Sequence, residues 1–94
     1  MITILSGTNR PGSNTRKIAG HLKTVYESLI GSPGFLDLAE LPPGVFEPQS
    51  YAQKPAAFAP FAHAVVEADG LVVVTPEYNG GIPGVLKYFI DLLP

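Results

Sequence analysis

Leu71-Val72-Val73-Val74 runs directly into Thr75-Pro76-Glu77-Tyr78-Asn79-Gly80-Gly81-Ile82-Pro83-Gly84, and the two stretches together decide the fold. Four consecutive apolar residues leave no polar face, as in a parallel strand covered on both sides. The proline- and glycine-rich segment behind it reads as a loop. Pro83 suits the first turn of a helix, and Val85, Leu86, Phe89, Ile90 and Leu93 supply its apolar stripe.

The same order recurs upstream. Ile2-Thr3-Ile4-Leu5 is a short, β-branched strand ending at Ser6-Gly7, and the loop Thr8–Gly12 follows. Ser13 or Asn14 can cap a helix whose Ile18, Leu22, Val25, Tyr26, Leu29 and Ile30 fall at helical spacing and which stops at Gly31. Phe35–Leu38 is a second strand, interrupted by Asp37 and so expected at a sheet edge. Pro42–Lys54 holds three prolines and no period. A second helix begins near Pro55 or Pro60, offers Phe61, Ala62, Val65 and Val66 for burial, and closes at Asp69-Gly70. Strands alternating with helices imply right-handed crossovers and a parallel sheet. The class is α/β.

Composition narrows the function. Ninety-four residues make one domain, 1–94, and 46 % hydrophobic content with a mean hydropathy of +0.23 exceeds that of a disordered tail. The net charge is −2 and the six basic residues are scattered. That excludes the basic stripe of a nucleic-acid platform and gives no reason for docking on a membrane. There is no cysteine, hence no disulfide and no thiolate metal site. No stretch approaches the roughly 20 apolar residues of a membrane span. Met1 leads straight into the first strand without a signal peptide, so a cytoplasmic protein is expected. His21 and His63 have no acidic neighbour at ligand spacing and read as exposed histidines, while Tyr26 and Phe89 read as core.

Two loops carry the chemistry. Gly7-Thr8-Asn9-Arg10-Pro11-Gly12-Ser13-Asn14-Thr15 joins a strand's carboxyl end to a helix N-terminus. A phosphate placed there meets free backbone N–H groups and the positive end of the helix dipole. Thr8, Ser13 and Thr15 add hydroxyls, Asn14 an amide, and Arg10 a charge-assisted partner. The spacing is neither GxxxxGK[ST] nor GxGxxG, which disfavours a nucleoside triphosphate or an ordinary dinucleotide. A polar turn with a helix cap would account for the same residues. The second loop, Thr75–Gly84, also leaves a strand's carboxyl end, and ligands of doubly wound sheets bind at that rim. Its backbone amides can read the edge of a flat heteroaromatic ring, with Tyr78 as an aromatic wall.

Taken together, Ser6–Lys17 resembles the FMN-phosphate loop of the NAD(P)H-dependent FMN reductases, and Thr75–Lys87 (TPEYNGGIPGVLK) resembles their flavin-ring loop and following helix. Asp37-Leu38-Ala39-Glu40-Leu41-Pro42 is also similar to that family's segment after its second strand. The resemblance implies that Thr8, Arg10, Ser13, Asn14 and Thr15 hold the FMN phosphate. It implies that Pro76, Glu77, Tyr78, Asn79 and Gly80 line the isoalloxazine. NADPH or NADH is the implied reductant, by hydride transfer, and no protein acid, base or nucleophile is assigned. Tyr88 stands where the family often has asparagine, and Gly81 where it has a small polar residue.

The implied fold is a flavodoxin-like three-layer sandwich with strand order 2-1-3-4-5. This chain supplies strands 2-1-3 and about three helices, which is the N-terminal half. The strand at 71–75 then keeps an open edge, and a homodimer or higher oligomer covering it is expected. Three functions compete: a reductase-like flavoprotein, a non-catalytic half-domain with weak or no FMN binding, and an interaction module.

Overall fold

The computed structural model describes residues 1–94. Along the chain come β1 (Ile2–Ser6), α1 (Asn14–Ile30), β2 (Gly34–Asp37), α2 (Ala59–Val66), β3 (Gly70–Val74) and α3 (Gly84–Leu92). The three strands are parallel in the order β2-β1-β3, with Ile4 opposite Phe35 on one side and Val72 on the other. Central placement explains why Thr3, Ile4, Leu5 and Ser6 are all buried. β2 is an edge strand, and its acid ends it. Asp37 Oδ1 accepts the Ala39 N–H at 2.9 Å and starts a 3-10 turn at Leu38–Glu40, while Oδ2 pairs with Arg16 Nε at 3.1 Å.

Residues in register share a face of the sheet. Leu5 and Leu36 face α2 and α3, and with Leu38, Phe58, Leu86, Phe89 and Leu92 they form the main core. Thr3 shares this face, and its hydroxyl donates to the Ala64 carbonyl of α2 at 2.8 Å. On the opposite face, Ile4 lies beneath α1, whose Thr15 and Ala19 are buried and whose Leu22 and Tyr26 are half-buried. Arg16 and Lys23 of α1 lie over the Phe35 ring of β2, at 4.6 and 5.9 Å from its centroid.

Three expectations need correction. The apolar stripe of α1 divides into two rows: the inner row follows Thr15, Ala19, Leu22 and Tyr26, whereas Ile18, Val25 and Leu29 stay exposed. β3 is not covered on both sides, because Leu71 and Val73 are each 45 % exposed. In α3 the buried residues are Leu86, Phe89 and Leu92, leaving Ile90 outside, and Val66 of α2 is outside too. The outer row of α1 and the uncovered β3 share one physical cause: nothing packs beyond β3.

The irregular segment after β2 is built from 3-10 turns at Pro43–Phe46 and Pro48–Tyr51. Tyr88 of α3 pins it. Its hydroxyl donates to the Val45 carbonyl at 2.5 Å, and its ring stacks on Phe46 and meets Tyr51 edge-on. The tyrosine that departs from the resembled family thus has its own packing partners. Partial burial, with Tyr51 alongside, pushes its phenol above the ordinary tyrosine range. A raised folded pKa favours the fold below the unfolded value and loses that contribution as pH climbs through the folded one. Tyr88 therefore adds no pH dependence near neutrality and a loss above pH ~10. Tyr88→Phe strands the buried Val45 carbonyl, so thermal unfolding is expected to begin a few degrees lower. An unchanged midpoint would contradict this anchoring role.

Candidate functional site

β1 and β3 are parallel neighbours, so the loops leaving their carboxyl ends meet at one rim. Gly7 makes the meeting possible. Its N–H donates to the Val74 carbonyl at 2.8 Å, and a Cβ there would lie 3.1 Å from that oxygen and 3.3 Å from Leu86 Cδ2. Any side chain there would have to push the Val74 backbone or Leu86 aside by a few tenths of an ångström, so glycine suits this close crossing.

Beyond Gly7, Thr8 is 1 % exposed and its hydroxyl is paired with the Tyr78 hydroxyl at 2.9 Å. Thr8 Oγ1 also accepts the Arg10 N–H at 3.4 Å. The Arg10 guanidinium stands 5.6 Å from the centroid of the Tyr78 ring. Ser13 is the N-cap of α1, its Oγ accepting the Arg16 N–H at 3.0 Å. That bond leaves the Ser13 O–H free to donate. The backbone N–H groups of Asn14 and Thr15 donate to nothing within the chain.

The second loop is a miniature hairpin. Asn79 and Gly80 have φ of 53° and 84°, and Tyr78 and Gly81 exchange both backbone bonds, at 2.9 and 3.1 Å. Positive φ at both central positions is what an Asn-Gly tight turn requires. The Glu77 carboxylate accepts the Gly80 N–H and locks the turn. The N–H groups of Glu77 and Asn79 have no partner within the chain.

Between the loops lies an open cavity of about 370 Å³ lined by Arg10, Pro11, Gly12, Ser13, Asn14, Thr15, Pro76 and Tyr78. Six of the ten residues singled out in the sequence form this wall: Arg10, Ser13, Asn14, Thr15, Pro76 and Tyr78. Thr8 stands behind it, bonded to Tyr78, while Glu77, Asn79 and Gly80 build the turn that carries Tyr78. The lining holds no carboxylate. An unpaired pair of helix N-terminal amides, free hydroxyls and one guanidinium form a donor set suited to an anion. They fit the phosphate of FMN.

A second cavity of about 440 Å³ lies between α2 and the end of α3, lined mainly by apolar groups such as Phe58, Ala62 and Leu92. Its Lys54 is engaged with the Tyr51 carbonyl at 3.2 Å. It is away from the rim and gathers no comparable donor set. No cluster of three or more His, Cys, Asp or Glu side chains could hold a metal, and His21 and His63 are exposed. No helix is long and apolar enough to cross a membrane.

Sequence reasoning missed two features of this site. The Asn79-Gly80 pair is a strong hairpin signal, and it was legible. The Thr8–Tyr78 bond joins residues 70 apart in the chain and has no local signature.

A parallel sheet of order β2-β1-β3 with two donor-rich loops on one rim is the three-stranded part of a flavodoxin-like α/β fold. The chain belongs to the NADPH-dependent FMN reductase family, whose model matches residues 1–94. It is 33 % identical over 92 residues to a quinone reductase of Escherichia coli K12, covering 98 % of this chain and 49 % of that one. It is 28 % identical over 93 residues to an NADH-dependent FMN reductase of Pseudomonas putida, covering 99 % and 50 %. A solved apo structure of an NADH:FMN oxidoreductase superposes with a TM-score of 0.83 at 30 % identity, over 99 % of this chain and 49 % of that one. The chain therefore spans about half the length of the relatives it matches.

Proposed function

We propose that residues 1–94 form one FMN-binding domain, the flavin-gripping part of a cytoplasmic NAD(P)H-dependent reductase. The observation that carries this reading is the carboxylate-free cavity in which the unpaired amides of Asn14 and Thr15 converge with Arg10. Arg10, Ser13, Asn14 and Thr15 hold the FMN phosphate, with Thr8 supporting them from behind. Pro76, Glu77, Tyr78, Asn79 and Gly80 line the isoalloxazine, and the free N–H groups of Glu77 and Asn79 serve its polar edge. Bound flavin would supply hydride acceptance from NADH or NADPH and electron delivery to a small acceptor. The chain's own part is to orient the ring. Oxidation of NADH or NADPH that depends on added FMN is the expected result with purified protein. FMN binding without such oxidation favours the non-catalytic half-domain instead.

The uncovered flank gives the second part of the proposal. Arg16 and Lys23 mark the β2 side of α1, so the exposed row Ile18, Val25 and Leu29 lies on its other side, above β3. The open edge of β3 lies beside that row, and round the edge, on the α3 face of the sheet, Leu71 and Val73 are exposed as well. Such a surface seeks a partner. A second copy of this chain, related by a two-fold axis, covers it and brings groups toward the open side of the cavity. Sedimentation is expected to show a dimer. A monodisperse monomer across a wide concentration range would rule out the homodimer and leave a second half, as in the relatives, to cover the flank.

A further inference from the structure

The Thr8–Tyr78 pair does more than join two loops. Thr8 is buried and lines no part of the cavity, whereas Tyr78 does line it. The Arg10 N–H donates to Thr8 Oγ1, and the two hydroxyls are 2.9 Å apart, with either able to be the donor. Two proton arrangements therefore exist. In one, Tyr78 donates to Thr8 and turns its lone pairs to the cavity. In the other, Thr8 donates to Tyr78, which frees the phenolic O–H to donate outward. An anion in the cavity selects the second arrangement, because only that one presents it with a proton. Each donor in the run Arg10 N–H, Thr8 O–H, Tyr78 O–H then strengthens the next. The Arg10 guanidinium beside the Tyr78 ring places positive charge at the same spot.

From this we infer that Tyr78 is the residue that reads the ligand's terminal phosphate, with Thr8 as the positioning residue that sets its proton. The inference rests on the FMN reading of the cavity and deepens it: the Tyr78 hydroxyl joins Arg10, Ser13, Asn14 and Thr15 at the phosphate, while the Glu77 and Asn79 amides stay with the ring. Tyr78 is also the first residue of the Asn79-Gly80 turn, flanked by the Glu77 and Asn79 amides. The turn itself is held by the Tyr78–Gly81 backbone bonds and by Glu77, so it keeps its shape without the Tyr78 hydroxyl. The consequence is selectivity: a flavin carrying a phosphate monoester is bound in preference to riboflavin, which has the same ring and no phosphate.

The test compares FMN with riboflavin by quenching of flavin fluorescence, in the wild type and in Tyr78→Phe, Thr8→Val and Thr8→Ser. Tyr78→Phe keeps the ring and its contact with Arg10 but removes the donor. It is expected to weaken FMN roughly tenfold, the scale of one hydrogen bond to a charged group, and to leave riboflavin unchanged. Thr8→Val should reproduce the effect, Thr8→Ser should restore the wild-type ratio, and combining Tyr78→Phe with Thr8→Val should add nothing further. Equal weakening of both flavins would reduce Tyr78 to a wall and overturn the inference. So would a wild type that binds both flavins equally, although the FMN cavity would then stand. A wild type that binds neither would remove both.

Discussion

Phe89→Ala is expected to cost about 3–5 kcal/mol of stability, the usual range for truncating a fully buried phenylalanine. Phe89 is 1 % exposed and meets Phe58 edge-to-face with ring centroids 5.9 Å apart. Phe58 in turn stacks on Phe61 of α2 at 6.4 Å. The same cluster takes in Leu5 of β1 and Leu36 of β2, so one side chain on α3 helps to hold both strands and the second helix. Against a typical total of about 5–15 kcal/mol, this is a large share for a domain with several apolar faces uncovered. Ile90, the next residue of the same helix, is 49 % exposed. Ile90→Ala should therefore cost far less. Urea denaturation of the two variants decides the matter, and equal losses would contradict the packing of α3 described above.

The second large effect falls on binding. Arg10 supplies the only charged side chain in the cavity wall and is itself exposed, so its removal should spare the fold. A charge-assisted bond to a phosphate contributes about 1.5–3 kcal/mol. Arg10→Gln should thus raise the Kd for FMN roughly 10- to 100-fold. Added salt screens exposed charges, so wild-type affinity should fall with ionic strength and the variant's should fall less. An unchanged Kd would mean that the phosphate does not lie against Arg10.

Much of this was legible in the residues. The β-branched runs at Ile2–Leu5 and Leu71–Val74 marked the strands, Ser13 marked the cap of α1, and Asp37 marked an edge. These signals are local, since each depends on a side chain's effect on its own backbone. What escaped depends on neighbours distant in sequence. An apolar residue announces that it can be buried, and says nothing about whether a layer exists to bury it. Leu71 and Val73 looked like core, yet they lie beside an open edge. Ile18, Val25 and Leu29 looked like one stripe with Leu22, and the sheet is too narrow to cover both rows. For the candidate site, residue types pointed to both loops. The side-chain direction of Tyr78 did not follow from them, because a contact across 70 residues is set by the meeting of β1 and β3.

The central claim is that the two loops grip FMN, and titrating purified protein with FMN while following flavin fluorescence tests it most directly. Saturable quenching, relieved by inorganic phosphate, is the expected result. Fluorescence that stays unquenched at high micromolar protein would contradict the claim.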